Sequence, residues 1–119
     1  MNFNQVVIGG NLTRDVELKY INDKWPIANF SIAVEDTVKK GEVWVKEIGF
    51  FDCAIWGKQA ESLSQNAGKG SNVLVSGRLR HESWEKDGAK RSKVTVLADR
   101  IQLCGNKPAP NERQENQVF

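Results

Sequence analysis

Apolar positions along this chain alternate with polar ones over short runs far more often than they recur at helical spacing. "FNQVVIGGNL" (residues 3–12) is β-branched and apolar, and its Gly9-Gly10 pair predicts a bulge or a close approach of another backbone. "VELKY" (16–20) alternates Val16, Leu18 and Tyr20, and "NDKW" (22–25) supplies turn chemistry. "IANFSIAV" (27–34) places Ala28, Phe30, Ile32 and Val34 in one phase. "KKGE" (39–42) predicts a hairpin turn, from which "VWVKEIGFFDCAIW" (43–56) returns as a long strand. "KQAESLSQNA" (58–67) is rich in helix formers and has no β-branched residue, so it predicts a short helix. "NVLVSGRLRHESW" (72–84) and "SKVTVLADRIQLC" (92–104) are strands again, with the turn pair Asp87-Gly88 between them.

The predicted order is three strands, a helix and two strands. Long hairpin loops fall between strands two and three and between strands four and five. An all-β fold with one short helix in that order fits the five-stranded Greek-key barrel called the OB-fold, whose loops and open face bind oligonucleotides or oligosaccharides. Residues 1–105 are expected to form this domain. Residues 106–119, with two prolines and polar neighbours, are expected to be a disordered tail.

Side chains of one parity share a face of a strand. In 43–56 the odd set, Val43, Val45, Phe51, Cys53 and Ile55, predicts a core face, although Gly49 predicts a bulge that breaks the register. The even set, Trp44, Lys46, Ile48, Phe50, Asp52, Ala54 and Trp56, mixes rings with charge and suits neither core nor plain solvent. In 72–84, Val73, Val75, Gly77 and Leu79 form one phase, and Arg78, Arg80, Glu82 and Trp84 the other. Flat rings offer stacking to bases and cations offer partners to phosphates, so interleaving them suits single-stranded nucleic acid. Trp84, Trp56, Phe50 and Trp44 are the expected stacking residues. Trp25, before Pro26 at a tight turn, is assigned to packing.

Charge sharpens the picture only through its distribution. The whole chain carries a formal +2, but from Arg78 to Lys93 six basic residues face three acidic ones, leaving +3. Arg78, Arg80, Lys86, Lys90, Arg91 and Lys93, with Lys39 and Lys40 on the other hairpin, are the expected phosphate contacts. Cys53 and Cys104 both sit among apolar residues and are expected to be reduced core thiols of a cytosolic protein. One histidine, His81, and two separated cysteines make no zinc set, and no nucleophile–base motif is present. No metal, no cofactor and no enzymatic activity is expected, with Asp52 and Glu61 the only carboxylates weighed as a pair. No apolar run approaches the ~20 residues that span a bilayer, and the N-terminus shows no secretion signal.

In this light the chain resembles the bacterial-type single-stranded DNA-binding proteins (SSB). The resemblance rests on "NQVVIGGNLTRDVELKY", "IANFSIAV", "FDCAIWGKQAE", "KGSNVLVSGRLRHESWEKDGAKR" and "VLADRIQL", five pieces in order over about 100 residues. It implies an OB-fold, a homotetramer, a cytoplasmic place at the nucleoid, and sequence-tolerant binding of single-stranded DNA in replication, recombination and repair. It also implies stacking at Trp84, Trp56 and Phe50. The family often carries another tryptophan that falls at about Val38 here, and Trp44, nearly across the turn, is expected to supply that ring from the opposite arm. The family's acidic tip, which recruits other replication and repair proteins, is missing: "NERQENQVF" ends in Phe119 without the charge. Two other readings stand beside this one: an SSB-like protein-interaction subunit of a replication or primosome complex, and an RNA-binding OB domain.

Overall fold

The structure, a computed structural model, describes residues 1–105; the reading of 106–119 as a disordered tail lies outside the described residues. In chain order the elements are β1 (Val6–Leu12), β2 (Glu17–Ile21), β3 (Trp25–Lys40), β4 (Val43–Trp56), α1 (Lys58–Asn66), β5 (Asn72–Lys86) and β6 (Ala89–Leu103). The strands form one sheet in the order β1-β5-β6-β4-β3-β2, and an additional β1–β3 pairing closes it on itself. β1, β3, β4, β6 and β5 therefore make a five-stranded barrel. The β4–β6 seam is parallel, Cys53–Ile55 against Val96–Ala98. This is the OB-fold arrangement that the element order predicts.

The elements differ from expectation in three respects. β2 is a strand of its own outside the ring, paired among the described residues only with Trp25–Asn29 of β3, so four strands precede the helix rather than three. The predicted long hairpin loops are themselves strand. β3 and β4 pair without interruption out to Lys40↔Val43, and β5 and β6 pair out to Lys86↔Ala89, so each ribbon turns on two residues. Asp87 and Gly88 both take positive φ, 55° and 79°, as a type I′ hairpin turn requires. Finally, Gly49 pairs in register with Val34 and marks no bulge. The irregularity lies between Ser76 and Gly77: Ser76 faces Arg100 and Gly77 faces Ala98, which leaves Asp99 as the extra residue on β6.

Two glycines sit where strands cross closely. A Cβ at Gly10 would overlap the Ala33 carbonyl oxygen, and one at Gly77 the Leu97 carbonyl oxygen. Of the two outcomes predicted for Gly9-Gly10, the close approach is the one found.

The core is built from the inward parity of each strand: Leu12, Ala28, Phe30, Ile32, Cys53, Ile55, Val73, Val75 and Val96. α1 covers one end with Ala60 and Leu63, followed by Ala67. The helix is tied to the sheet by side chains. Gln59 Nε2 donates to the Asp99 carbonyl (3.0 Å) while its Oε1 accepts from the Ile101 N–H (3.2 Å), so one amide bridges the bulge. The Tyr20 hydroxyl donates to Glu61 at 2.6 Å, and this hydrogen bond raises the phenol's pKa.

The predicted core face of β4 is only partly inside. Cys53 and Ile55 are buried, but Val43 and Phe51 are exposed and Val45 is half-covered. The reason is reach: among the described residues β6 pairs with β4 only at 53–55, and farther out no strand lies on the β4 edge of the ribbon. Leu79 is exposed where β5 likewise runs outward. The cysteines also part company: both are free thiols, but Cys53 is buried and Cys104 exposed. Burial pushes the Cys53 thiol up to about 12.

A Gly77→Ala substitution is expected to destabilise the fold by about 1–3 kcal/mol, since backbone rather than a flexible side chain must give way. Thermal melting followed by circular dichroism reads this as a fall of roughly 4–8 °C per kcal/mol; an unchanged melting temperature would contradict the close packing of β5 on β6.

Candidate nucleic-acid interface

Directly paired residues of an antiparallel ribbon present their side chains on one face. On the outer face of β3–β4 the rows run Ile27–Trp56, Asn29–Ala54, Ser31–Asp52, Ala33–Phe50, Glu35–Ile48, Thr37–Lys46 and Lys39–Trp44. On the outer face of β5–β6 they run Arg78–Leu97, Arg80–Thr95, Glu82–Lys93 and Trp84–Arg91. Leu97 pairs with Ala54 across the parallel seam, which joins the two faces into one surface. Three rings of β4 and one of β5 thus lie on a single side of the barrel and its arms.

All four are open to solvent. Phe50 is 67% exposed, Trp44 64%, Trp56 48% and Trp84 44%. Rings of this size left in water by a fold with a complete core are available to a ligand. Between the two ribbons a groove is lined by Trp56, Asn29, Arg14, Arg80, Lys93 and Thr95. A hollow between α1 and the end of β6, lined by Gln59, Leu63, Asn66 and Ile101, has neither aromatic nor cationic walls.

The cations divide into groups. Arg78, Arg80, Arg91 and Lys93 belong to the outer rows, and Lys39 and Lys86 to the same faces at the ribbon tips. Lys40 pairs with Val43, and Lys90 with Glu85, so both project from the reverse faces. Lys40 there meets Glu47 at 2.8 Å. In the groove Lys93 meets Asp52 at 3.1 Å and Arg80 meets Glu82 at 3.6 Å, both exposed pairs of small net energy. Among the described residues Arg14, Arg78, Lys86 and Arg91 have no carboxylate at salt-bridge distance. Lys39 stands 6.0 Å from the Trp44 ring centre, at the outer limit of a cation–π contact.

Several sequence expectations change. Trp44 does not take the place of a ring at Val38: Val38 pairs with Val45 on the reverse face, whereas Trp44 continues the row of Phe50 and Trp56. Trp25 is not a packing residue; it is 63% exposed. Asp52 and Glu61 make no pair, since Asp52 faces the groove and Glu61 holds Tyr20. Arg14 in the β1–β2 connection was not anticipated as part of the site, because nothing in "LTRD" tells a groove-lining arginine from a solvated one.

Comparison with known proteins follows the same line. A sequence model of the Single-strand binding protein family matches residues 3–104. The chain is 43% identical over 116 residues to a single-stranded DNA-binding protein of Treponema pallidum, spanning 98% of this chain and 66% of that one. It is 39% identical over 119 residues to a single-stranded DNA-binding protein of Borreliella burgdorferi, spanning 98% of this chain and 80% of that one. The crystal structure of a deletion mutant of the single-stranded DNA binding protein from Thermus aquaticus superimposes with a TM-score of 0.77 at 30% identity, over 87% of this chain and 51% of that one. The chain thus spans just under two thirds of the Treponema relative and about half of the Thermus chain. From β1 to the end of β6, fold and sequence agree: the chain belongs to the single-strand binding protein family.

Proposed function

We propose that the protein binds and protects single-stranded DNA without regard to sequence, and that it does so by stacking bases on rings while cations hold the phosphates. One observation carries this reading: Trp84, Trp56, Phe50 and Trp44 share one outer surface with Arg78, Arg80, Arg91 and Lys93. Every base has a π-face, so stacking tolerates any sequence, and phosphate contacts carry no base identity. Such a module acts by binding, not by catalysis. Its place is in replication, recombination and repair, where DNA strands are apart, in the cytoplasm at the nucleoid.

The assembly we propose is a homotetramer. Among the described residues, the β1 edge away from β5 has no strand partner along Val6–Gly10, since β1 meets β3 only at Asn11 and Leu12. Exposed Val7 lies on that strand and exposed Leu74 on the neighbouring β5, opposite Gly9. An open edge with apolar neighbours favours pairing with a second copy. Light scattering at micromolar concentration is expected to give four subunits; a monomer that retains DNA binding would remove the tetramer from the proposal.

Oligo(dT) is expected to quench tryptophan emission, and duplex DNA and RNA of equal length to bind more weakly. Trp84→Ala is expected to weaken oligo(dT) binding by about 1–3 kcal/mol, the range found for stacking residues in single-strand binders of this same kind, with little change in melting temperature. The opposite result, full affinity with a lowered melting point, would make Trp84 a packing residue.

The faces of the β5–β6 ribbon separate two neighbouring cations. Binding should weaken with salt by a slope of about −0.7 per neutralised phosphate. Arg91→Glu, on the outer face, is expected to flatten that slope, and Lys90→Glu, on the reverse face, to leave it nearly unchanged. Equal effects of the two substitutions would show that the strand wraps the ribbon tip instead of following one face.

A further inference from the structure

Trp25 is a large ring that the described residues leave open to solvent. It stands 63% exposed at the start of β3, outside the core. Its surroundings place it on the surface already described. Ile27 pairs with Trp56, and Trp25 lies two residues before Ile27, so it projects from the same outer face. Trp25 and Trp56 are diagonal neighbours, with about 7–8 Å between them at the backbone. Ile27 and Asn29 line the groove with Trp56 and Arg14, and so the groove leads up to the foot of Trp25. Lys19 pairs with Ile27 and shares that face, and Lys24 immediately precedes the ring.

The support under the ring is rigid. β2 and β3 turn through Asn22 and Asp23, both at positive φ, and the Lys24 N–H closes the turn on the Ile21 carbonyl at 3.1 Å. Pro26 is buried behind the ring, and its carbonyl accepts from the Gly57 N–H at 2.9 Å. Tyr20, paired with Pro26, is bonded to the helix through Glu61. A backbone held this way has little freedom to lose when a ligand reaches the ring.

We propose that Trp25 is a further stacking residue, which takes a nucleotide of the bound single strand beyond Trp56 and carries its path from the barrel onto the β2–β3 hairpin. The inference rests on the DNA-binding reading above and extends it by one ring and one element.

The test uses the full chain with Trp44, Trp56 and Trp84 each changed to Phe, which retains aromatic rings there and leaves Trp25 as the sole tryptophan of the four. Dye-labelled oligo(dT) reports binding by anisotropy while Trp25 emission is followed. The expected result is quenching of Trp25 in step with binding. In the otherwise native chain Trp25→Ala should weaken binding about 5- to 150-fold, Trp25→Phe much less, and neither should shift the melting temperature. Unquenched emission at saturation, together with wild-type affinity of Trp25→Ala, overturns the inference while Trp84→Ala still reports on the parent reading. A change of subunit number in Trp25→Ala at unchanged affinity also overturns it, and assigns the ring to a contact between copies. Failure of the native chain to bind oligo(dT) at all defeats both.

Discussion

Closure of the barrel depends on backbones passing closer than any side chain allows. Gly10 lies against the Ala33 carbonyl and Gly77 against that of Leu97. These contacts let β1 reach β3 on one side and bring β5 onto β6 at the bulge on the other. The core rows Ala28, Phe30, Ile32 and Cys53, Ile55 can then face Val73, Val75 and Val96 across one interior. Remove either approach and the sheet remains a sheet, but its two ribbons no longer meet around a common core.

The outer surface inherits its order from that closure. Parity fixes which residues face out along each strand. The seam at Ala54–Leu97 fixes how one ribbon's outward set lies beside the other's. Rings from β4 and cations from β5 and β6 become neighbours without any contact between them in sequence. Helix α1 contributes at a distance: Gln59 holds the Asp99 bulge, after which Ala98 and Leu97 fall into register with Gly77 and Arg78.

Much of this was legible in the chain. β-Branched runs and two-residue alternation marked the strand segments, though as three before the helix where the structure has four, and the order of elements around a single helix pointed to the barrel. The outward placement of Trp56 and Trp84 could be read because each continues a parity set whose opposite set is plainly apolar. Trp25 was misread because its local signs, a turn before it and a proline after it, are those of a packed corner. Its face is set by a pairing with β2 and β4 that alternation within one segment does not contain. Phe51 was misread for the complementary reason: it keeps the parity of Cys53 and Ile55 but lies past the last residue of β4 that β6 reaches. Parity tells which way a side chain points, and only the third dimension tells whether anything stands opposite.

The β3–β4 ribbon beyond the seam behaves as a cantilever. Its root is clamped by the barrel, and its tip at Gly41 is held, among the described residues, by the ribbon's own ladder and the Lys40–Glu47 ion pair within it. Compliance therefore rises outward from Trp56 through Phe50 to Trp44. In the proposed interface a ligand meets a fixed ring at the root, where seating it costs little lost motion, and an adjustable ring at the tip, where ordering costs more but the ring can follow the ligand's shape. One continuous hairpin thus grades from template to adaptor along its length. Residues near its tip can vary in sequence with little effect on whether the barrel folds.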